Sequence, residues 1–121
     1  MMTTNSEQII MIDVDDTLVM WNWHTGSYDV EVKDPYFDNV YKLKKHNKHI
    51  KILKDHYARG FYVVVWSAGG FAWAEAVVKA LGLEKHVHQI MTKPCKFIDD
   101  LEADEILVNR IYFSDYNKGG K

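Results

Sequence analysis

Residues 9–18 read IIMIDVDDTL, an apolar run interrupted only by Asp13 and ending in a knot of acids. A strand with apolar side chains at consecutive positions has no face to give to water. It is buried on both sides, as in a parallel sheet covered by helices. Two further stretches repeat the pattern of apolar strand and small or acidic end. Residues 61–66 (FYVVVW) run into Ser67, Ala68, Gly69 and Gly70, and residues 96–98 (KFI) run into Asp99 and Asp100. In open α/β sheets the carboxyl ends of the strands line one crevice, and ligands bind there.

The remaining elements are read outward from these strands. Residues 19–32 alternate about a glycine turn and predict a projecting β-hairpin flap after strand 1. Phe37, Val40, Leu43, Ile50, Leu53 and Tyr57 recur at helical spacing up to Gly60. That predicts one helix or two, with Asn47 either interrupting the stripe or capping the second. Residues 71–81 predict an alanine-rich helix closed by Gly82, residues 87–91 a third strand and residues 96–98 a fourth. A helical turn over 101–105 and a fifth strand within 106–113 complete the pattern. Strands alternating with helices define the expected fold class, α/β, with right-handed crossovers. The expectation is a single Rossmann-like three-layer domain over residues 1–121, with a parallel five-stranded sheet.

Composition bounds the function classes. The 121 residues suit one domain, and 47% apolar residues suffice for a core. A formal net charge of -2 selects no partner class. The single cysteine, Cys95, excludes an internal disulfide and fits a reducing compartment. Residues 1–8 carry no signal pattern, and no apolar run approaches the roughly 20 residues that span a bilayer. A cytoplasmic protein with no membrane partner is expected. Charge is uneven, however. Seven acids face one lysine between residues 13 and 38, and seven basic residues face Asp55 alone between residues 41 and 60.

Four or five carboxylates at adjacent strand ends repel one another unless a cation neutralises them. All-oxygen ligands completed by a phosphate favour Mg²⁺. Ser67 offers a hydroxyl, the turn after it offers backbone N–H groups at a helix start, and Lys93 offers a positive charge. A carboxylate nucleophile, a second carboxylate, a cation, a hydroxyl and a lysine are the parts of phosphoryl transfer through an aspartyl intermediate.

These residues resemble the haloacid dehalogenase-like (HAD) superfamily. Its Asp-x-Asp-x-Thr-Leu strand end matches residues 9–18, its Ser/Thr strand end matches FYVVVWS, its lysine matches Lys93, and its paired-acid strand end matches KFIDD. By that resemblance Asp13 is the nucleophile, Asp15 the general acid and base, and Ser67 and Lys93 the holders of the phosphoryl oxygens. Asp13, the backbone carbonyl of Asp15, and Asp99 or Asp100 would hold Mg²⁺. Lys96 competes with Lys93 but enters the strand itself. The spacings leave no room for the usual inserted caps, which resembles the small capless type with open sites or a cover lent by a partner subunit. An oligomer is expected in that case.

Plainer readings stand beside these. A calcium loop at Asp13–Asp16 fails, because it requires glycine at Leu18. Trp21, Trp23, His24 and Tyr28 suit either a stacking platform for a base or the packing of the flap. The basic stretch reads as a solvated face before a polyanion track, and His46, His49 and His56 within it read as surface residues. No histidine shows zinc-like pairing with cysteine. A phospho-accepting signalling module has its acids and hydroxyl in another order, and a non-catalytic phosphate- or nucleotide-binding protein is the other alternative. The expected function is Mg²⁺-dependent phosphomonoester hydrolysis. The expected partner is a phosphorylated substrate, with a nucleotide or nucleic-acid end favoured among phosphomonoesters.

Overall fold

In the computed structural model, residues 5–21 and 27–114 are described. The apolar run becomes β1 (Asn5–Asp13), and FYVVVWS becomes β5 (Phe61–Ser67). Between them lie β2 (Val19–Met20), β3 (Val30–Lys33), β4 (Val40–Lys45) and α1 (Asn47–Ala58). After β5 come α2 (Phe71–Ala80), a 3₁₀ turn over Glu84–His86, β6 (Gln89–Thr92) and the single turn α3 (Ala103–Ile106). The parallel sheet has the order β1-β5-β6, and an antiparallel sheet has the order β2-β4-β3.

β5 lies at the centre of the parallel sheet, and Val63, Val64 and Val65 are all buried, so both of its faces are covered. Both α1 and α2 pack on it. The residues Trp73, Ala74, Val77 and Val78 of α2 share one face at helical spacing and enter the core with Leu18, Val32, Leu43 and Leu53. Each fully buried aliphatic side chain contributes about 1.5–3 kcal/mol relative to exposure.

Three expectations are corrected. The parallel sheet has three strands, not five: residues 96–98 and 106–113 form no strand. A fourth parallel strand must begin at the amino edge of the sheet, and residues 93–95 are too few to carry the chain back from the end of β6. The flap is not a hairpin of residues 19–32, because β2 and β3 both pair with β4 and not with each other; its glycine turn lies outside the described residues. The helix expected to begin near Phe37 begins at Asn47 instead. Phe37 and Val40 are exposed, and residues 40–45 alternate with Leu43 buried, so a period of two applies there. A β3–β4 hairpin results. Its loop is closed by Asp34, whose Oδ1 accepts from the N–H groups of Tyr36 and Phe37.

Candidate active site

Three strand ends build the site. Asp13 closes β1 and pairs with Trp66, Ser67 closes β5, and Thr92 closes β6 opposite Ser67. Lys93 follows at once, and its N–H donates to the Ser67 carbonyl at 2.8 Å. The Lys93 ammonium reaches to 3.8 Å from Asp13 Oδ1, and the Thr17 hydroxyl donates to Asp13 Oδ2 at 3.2 Å. Asp13 thus keeps a partly exposed carboxylate, aimed by one cation and one hydroxyl.

The loop after β1 turns back on itself. The N–H groups of Thr17, Leu18 and Val19 all point at the Val14 carbonyl, and Asp16 takes a left-handed φ of 57° that aspartate tolerates better than most residues. This turn presents Asp15 toward β5. The indole N–H groups of Trp21 and Trp73 both donate to Asp15 Oδ1, at 2.8 and 3.0 Å, and the Ser67 hydroxyl lies 3.4 Å from its Oδ2. One oxygen is therefore clamped by two rigid donors while the other faces the strand ends.

Ser67 is fully buried, and its Oγ accepts from the Gly69 N–H at 3.0 Å. The Gly70 and Phe71 N–H groups turn to the Ser67 carbonyl and the Thr92 hydroxyl, which leaves Ala68 as the turn's candidate N–H donor for a phosphate. Gly70 has φ 104°, and a Cβ there would meet the Tyr36 hydroxyl at 2.7 Å. The same hydroxyl donates to the Gly69 carbonyl at 3.3 Å, tying the β3–β4 loop to the turn.

Beside Asp15 opens a cavity of about 290 Å³ lined by Trp21, Asp34, Tyr36, Tyr41, Gly69 and Trp73. The Trp21 ring meets Tyr41 edge-on at 5.0 Å and lies 5.8 Å from Trp73. Asp34 anchors the wall by accepting from the Tyr41 hydroxyl at 2.8 Å. The Tyr36 N–H holds the Asp34 carboxyl below its usual range, against the opposing effect of its burial, and the bond to Asp34 raises the Tyr41 phenol. Of the expected aromatic platform, Trp21 joins this wall and Tyr28 lines a separate groove near Lys42. Trp23 and His24 lie outside the described residues.

The structure thus brings Asp13, Asp15, Ser67 and Lys93 together. Among the described residues no hydrogen bond or ion pair joins Asp99, Asp100 or Lys96 to them. Asp99 and Asp100 are exposed, and Asp99 Oδ1 accepts from the Leu101 N–H. Among the described residues no group of three or more acids, histidines or cysteines is placed to hold a metal. Trp73 and Thr17 are site residues that the sequence reading passed over. Thr17 lies inside the motif itself, whereas Trp73 carries no local signal beyond being a tryptophan in an alanine-rich helix.

His46 and His49 are buried, which corrects their reading as surface residues. Their rings stack at 3.6 Å. His46 caps α1 by accepting the His49 N–H at its Nδ1, so its Nε2–H donates to the Phe113 carbonyl at 2.7 Å. His49 Nε2 accepts the Phe113 N–H, so its Nδ1–H donates to the Thr17 carbonyl at 2.8 Å. The pair ties the motif loop to the chain's later residues. Burial holds both imidazoles below their ordinary pKa.

A carboxylate at a parallel strand end, a second two residues on, a buried serine and a lysine define a HAD-like phosphatase site. The family model for NLI interacting factor-like phosphatases matches residues 8–111, and the chain belongs to that family. No curated protein and no solved structure matches the chain. Among the described residues no helix is long and apolar enough to cross a membrane.

Proposed function

We propose that the chain hydrolyses phosphate monoesters through a phosphoryl group carried on Asp13. The observation that carries this reading is the Asp13 carboxylate, held by Thr17 and Lys93 at the sheet's carboxyl edge with the clamped Asp15 two residues on. An Asp13 oxygen attacks phosphorus and the bond to the leaving oxygen breaks, while Asp15 supplies the proton that this oxygen needs. Asp15 then takes a proton from water, the water oxygen attacks phosphorus, and the bond to Asp13 breaks to release inorganic phosphate. The Lys93 ammonium balances the phosphoryl charge and orients it.

Mg²⁺ commonly takes one or two carboxylates, phosphate oxygens and water. The partly exposed Asp13 fits such a site, with the Asp15 carbonyl and a substrate phosphate as further oxygens. When bound, the ion would offset repulsion between the carboxylates and the phosphate. Asp99 or Asp100 would complete its shell.

The substrate class is a nucleotide or nucleic-acid phosphate. Its support is the aromatic wall beside Asp15, which suits a flat leaving group. Hydrolysis of an aryl phosphate with Mg²⁺, its loss in excess chelator, and a phosphate mass trapped on Asp13 are the expected results. Full activity in chelator, or turnover by Asp13→Asn, refutes the mechanism.

A further inference from the structure

The loop after β1 is held from outside at three consecutive carbonyls. That of Asp16 accepts from the Tyr112 hydroxyl at 3.3 Å, that of Thr17 from the His49 ring at 2.8 Å, and that of Leu18 from the His46 N–H at 2.9 Å. A loop containing a left-handed aspartate keeps its shape only where its surroundings fix it. Of the three bonds, the middle one leads on to the nucleophile. The same Thr17 donates its hydroxyl to Asp13 Oδ2 at 3.2 Å.

The His49 ring makes its bond to Thr17 in one tautomer only. Its Nε2 takes the Phe113 N–H at 2.9 Å, so that nitrogen is bare and the ring proton sits on Nδ1, facing the Thr17 carbonyl. His49 is 5% exposed, which leaves little room for water to replace either partner. The stacked His46 ring carries its proton on the opposite nitrogen, Nε2, and donates to the Phe113 carbonyl at 2.7 Å. Phe113 thereby fixes both tautomers, one with its N–H and the other with its carbonyl.

We propose that His49 is a positioning residue for phosphoryl transfer at Asp13. A chain of three hydrogen bonds runs from the Phe113 N–H through the imidazole to the Thr17 carbonyl, and from the Thr17 hydroxyl to Asp13. It sets the rotation of the Asp13 carboxylate from a residue one hundred positions further along the chain. His49 touches neither Asp13 nor the substrate and acts only through Thr17. The role in turnover rests on the phosphatase reading above; the hold on the loop does not.

The experiment uses two substitutions that each keep one half of the imidazole. In His49→Asn the amide nitrogen stands near the former Nδ1 and can still donate to the Thr17 carbonyl, while nothing reaches the Phe113 N–H. In His49→Gln the longer amide can still accept from Phe113, while the Thr17 carbonyl loses its donor. Stability alone ranks them the other way, since glutamine is the better helix former and fills more of the buried site. On the full chain, with an aryl phosphate and Mg²⁺, His49→Gln should lower kcat roughly tenfold at unchanged KM, and His49→Asn should retain most of it. Hydrogen exchange at the Thr17, Leu18 and Val19 N–H groups should quicken in the glutamine variant and stay slow in the asparagine one. Equal losses of kcat, a milder loss in the glutamine variant, or a change in KM alone overturns the positioning role. A wild type without phosphatase activity overturns the catalytic reading instead. The exchange rates then decide alone whether His49 holds the loop, and equal quickening in both variants overturns that hold. Should neither variant fold, nitrogen NMR of wild-type His49 decides. A proton on Nε2 breaks the chain at its centre and overturns the proposal; a proton on Nδ1, coupled across the bond to the Thr17 carbonyl, upholds it.

Discussion

The indole N–H of Trp73 lies 3.0 Å from Oδ1 of Asp15, across 58 residues of sequence. With Trp21 at 2.8 Å on the same oxygen, the side chain assigned to proton transfer is held by two groups that cannot rotate away without moving whole rings. Trp73→Phe and Trp21→Phe keep most of the ring volume and delete one donor each. Each should lower kcat roughly tenfold with little change in KM, because a misaimed acid slows chemistry more than it weakens binding. A rise in KM alone would make the tryptophans substrate contacts only.

Asp15→Asn preserves an acceptor for both indoles while removing the proton donor and base. With an aryl phosphate, whose leaving group departs as a stable anion, phosphorylation of Asp13 should outlast the loss and water attack should not. A burst of phenol near one equivalent is expected, with the added phosphate found on Asp13 by mass spectrometry. A phosphate mapped to any other residue would reassign the nucleophile.

The His46–His49 stack predicts acid sensitivity. Burial depresses both folded-state pKa values. Below about pH 6.5 the unfolded chain therefore binds protons that the folded chain refuses, and stability falls with pH. Above that value neither state is charged there and stability is level. Melting temperature should drop from pH 7.5 to 5.5. His46→Asn with His49→Gln should be less stable at pH 7.5 but flatter across that interval; an equal slope would place the sensitivity elsewhere.

If an oligonucleotide end is the substrate, kcat/KM should fall steeply with added salt as counterion release loses its driving force. Charge reversal at Lys48 and Lys51 on α1 should lower it further at low salt. A rate indifferent to salt would point to a small phosphomonoester and leave α1 as a solvated face.

The strands that carry Asp13 and Ser67 were legible because their apolar runs obey a local rule: no polar face, hence burial on both sides. Lys93 was legible as the lysine just before the expected fourth strand. The hairpin of β3 and β4 was not, since Phe37 and Val40 mimic a helical stripe that the structure leaves in solvent. His46 and His49 sit among lysines, and only their bonds to Thr17 and Phe113 explain why they are buried. Residues 96–98 read as an interior strand on composition, yet strand pairing depends on reach, which composition does not encode. Trp73 comes to Asp15 by the docking of α2, a tertiary fact with no signature in the residues beside it.

Three of the chain's four tryptophans stand around the cluster of Asp13, Asp15 and Lys93: Trp21 and Trp73 on Asp15, and Trp66 with the Lys93 ammonium 5.8 Å from its ring centre. The protein therefore carries its own optical gauge of occupancy. An anion drawn to Lys93 shifts the field on Trp66, and a planar group entering beside Asp15 screens or quenches the other two. Emission recorded at rising phosphate or nucleotide concentration should trace filling of the site in an unlabelled sample, including variants too slow to assay by turnover.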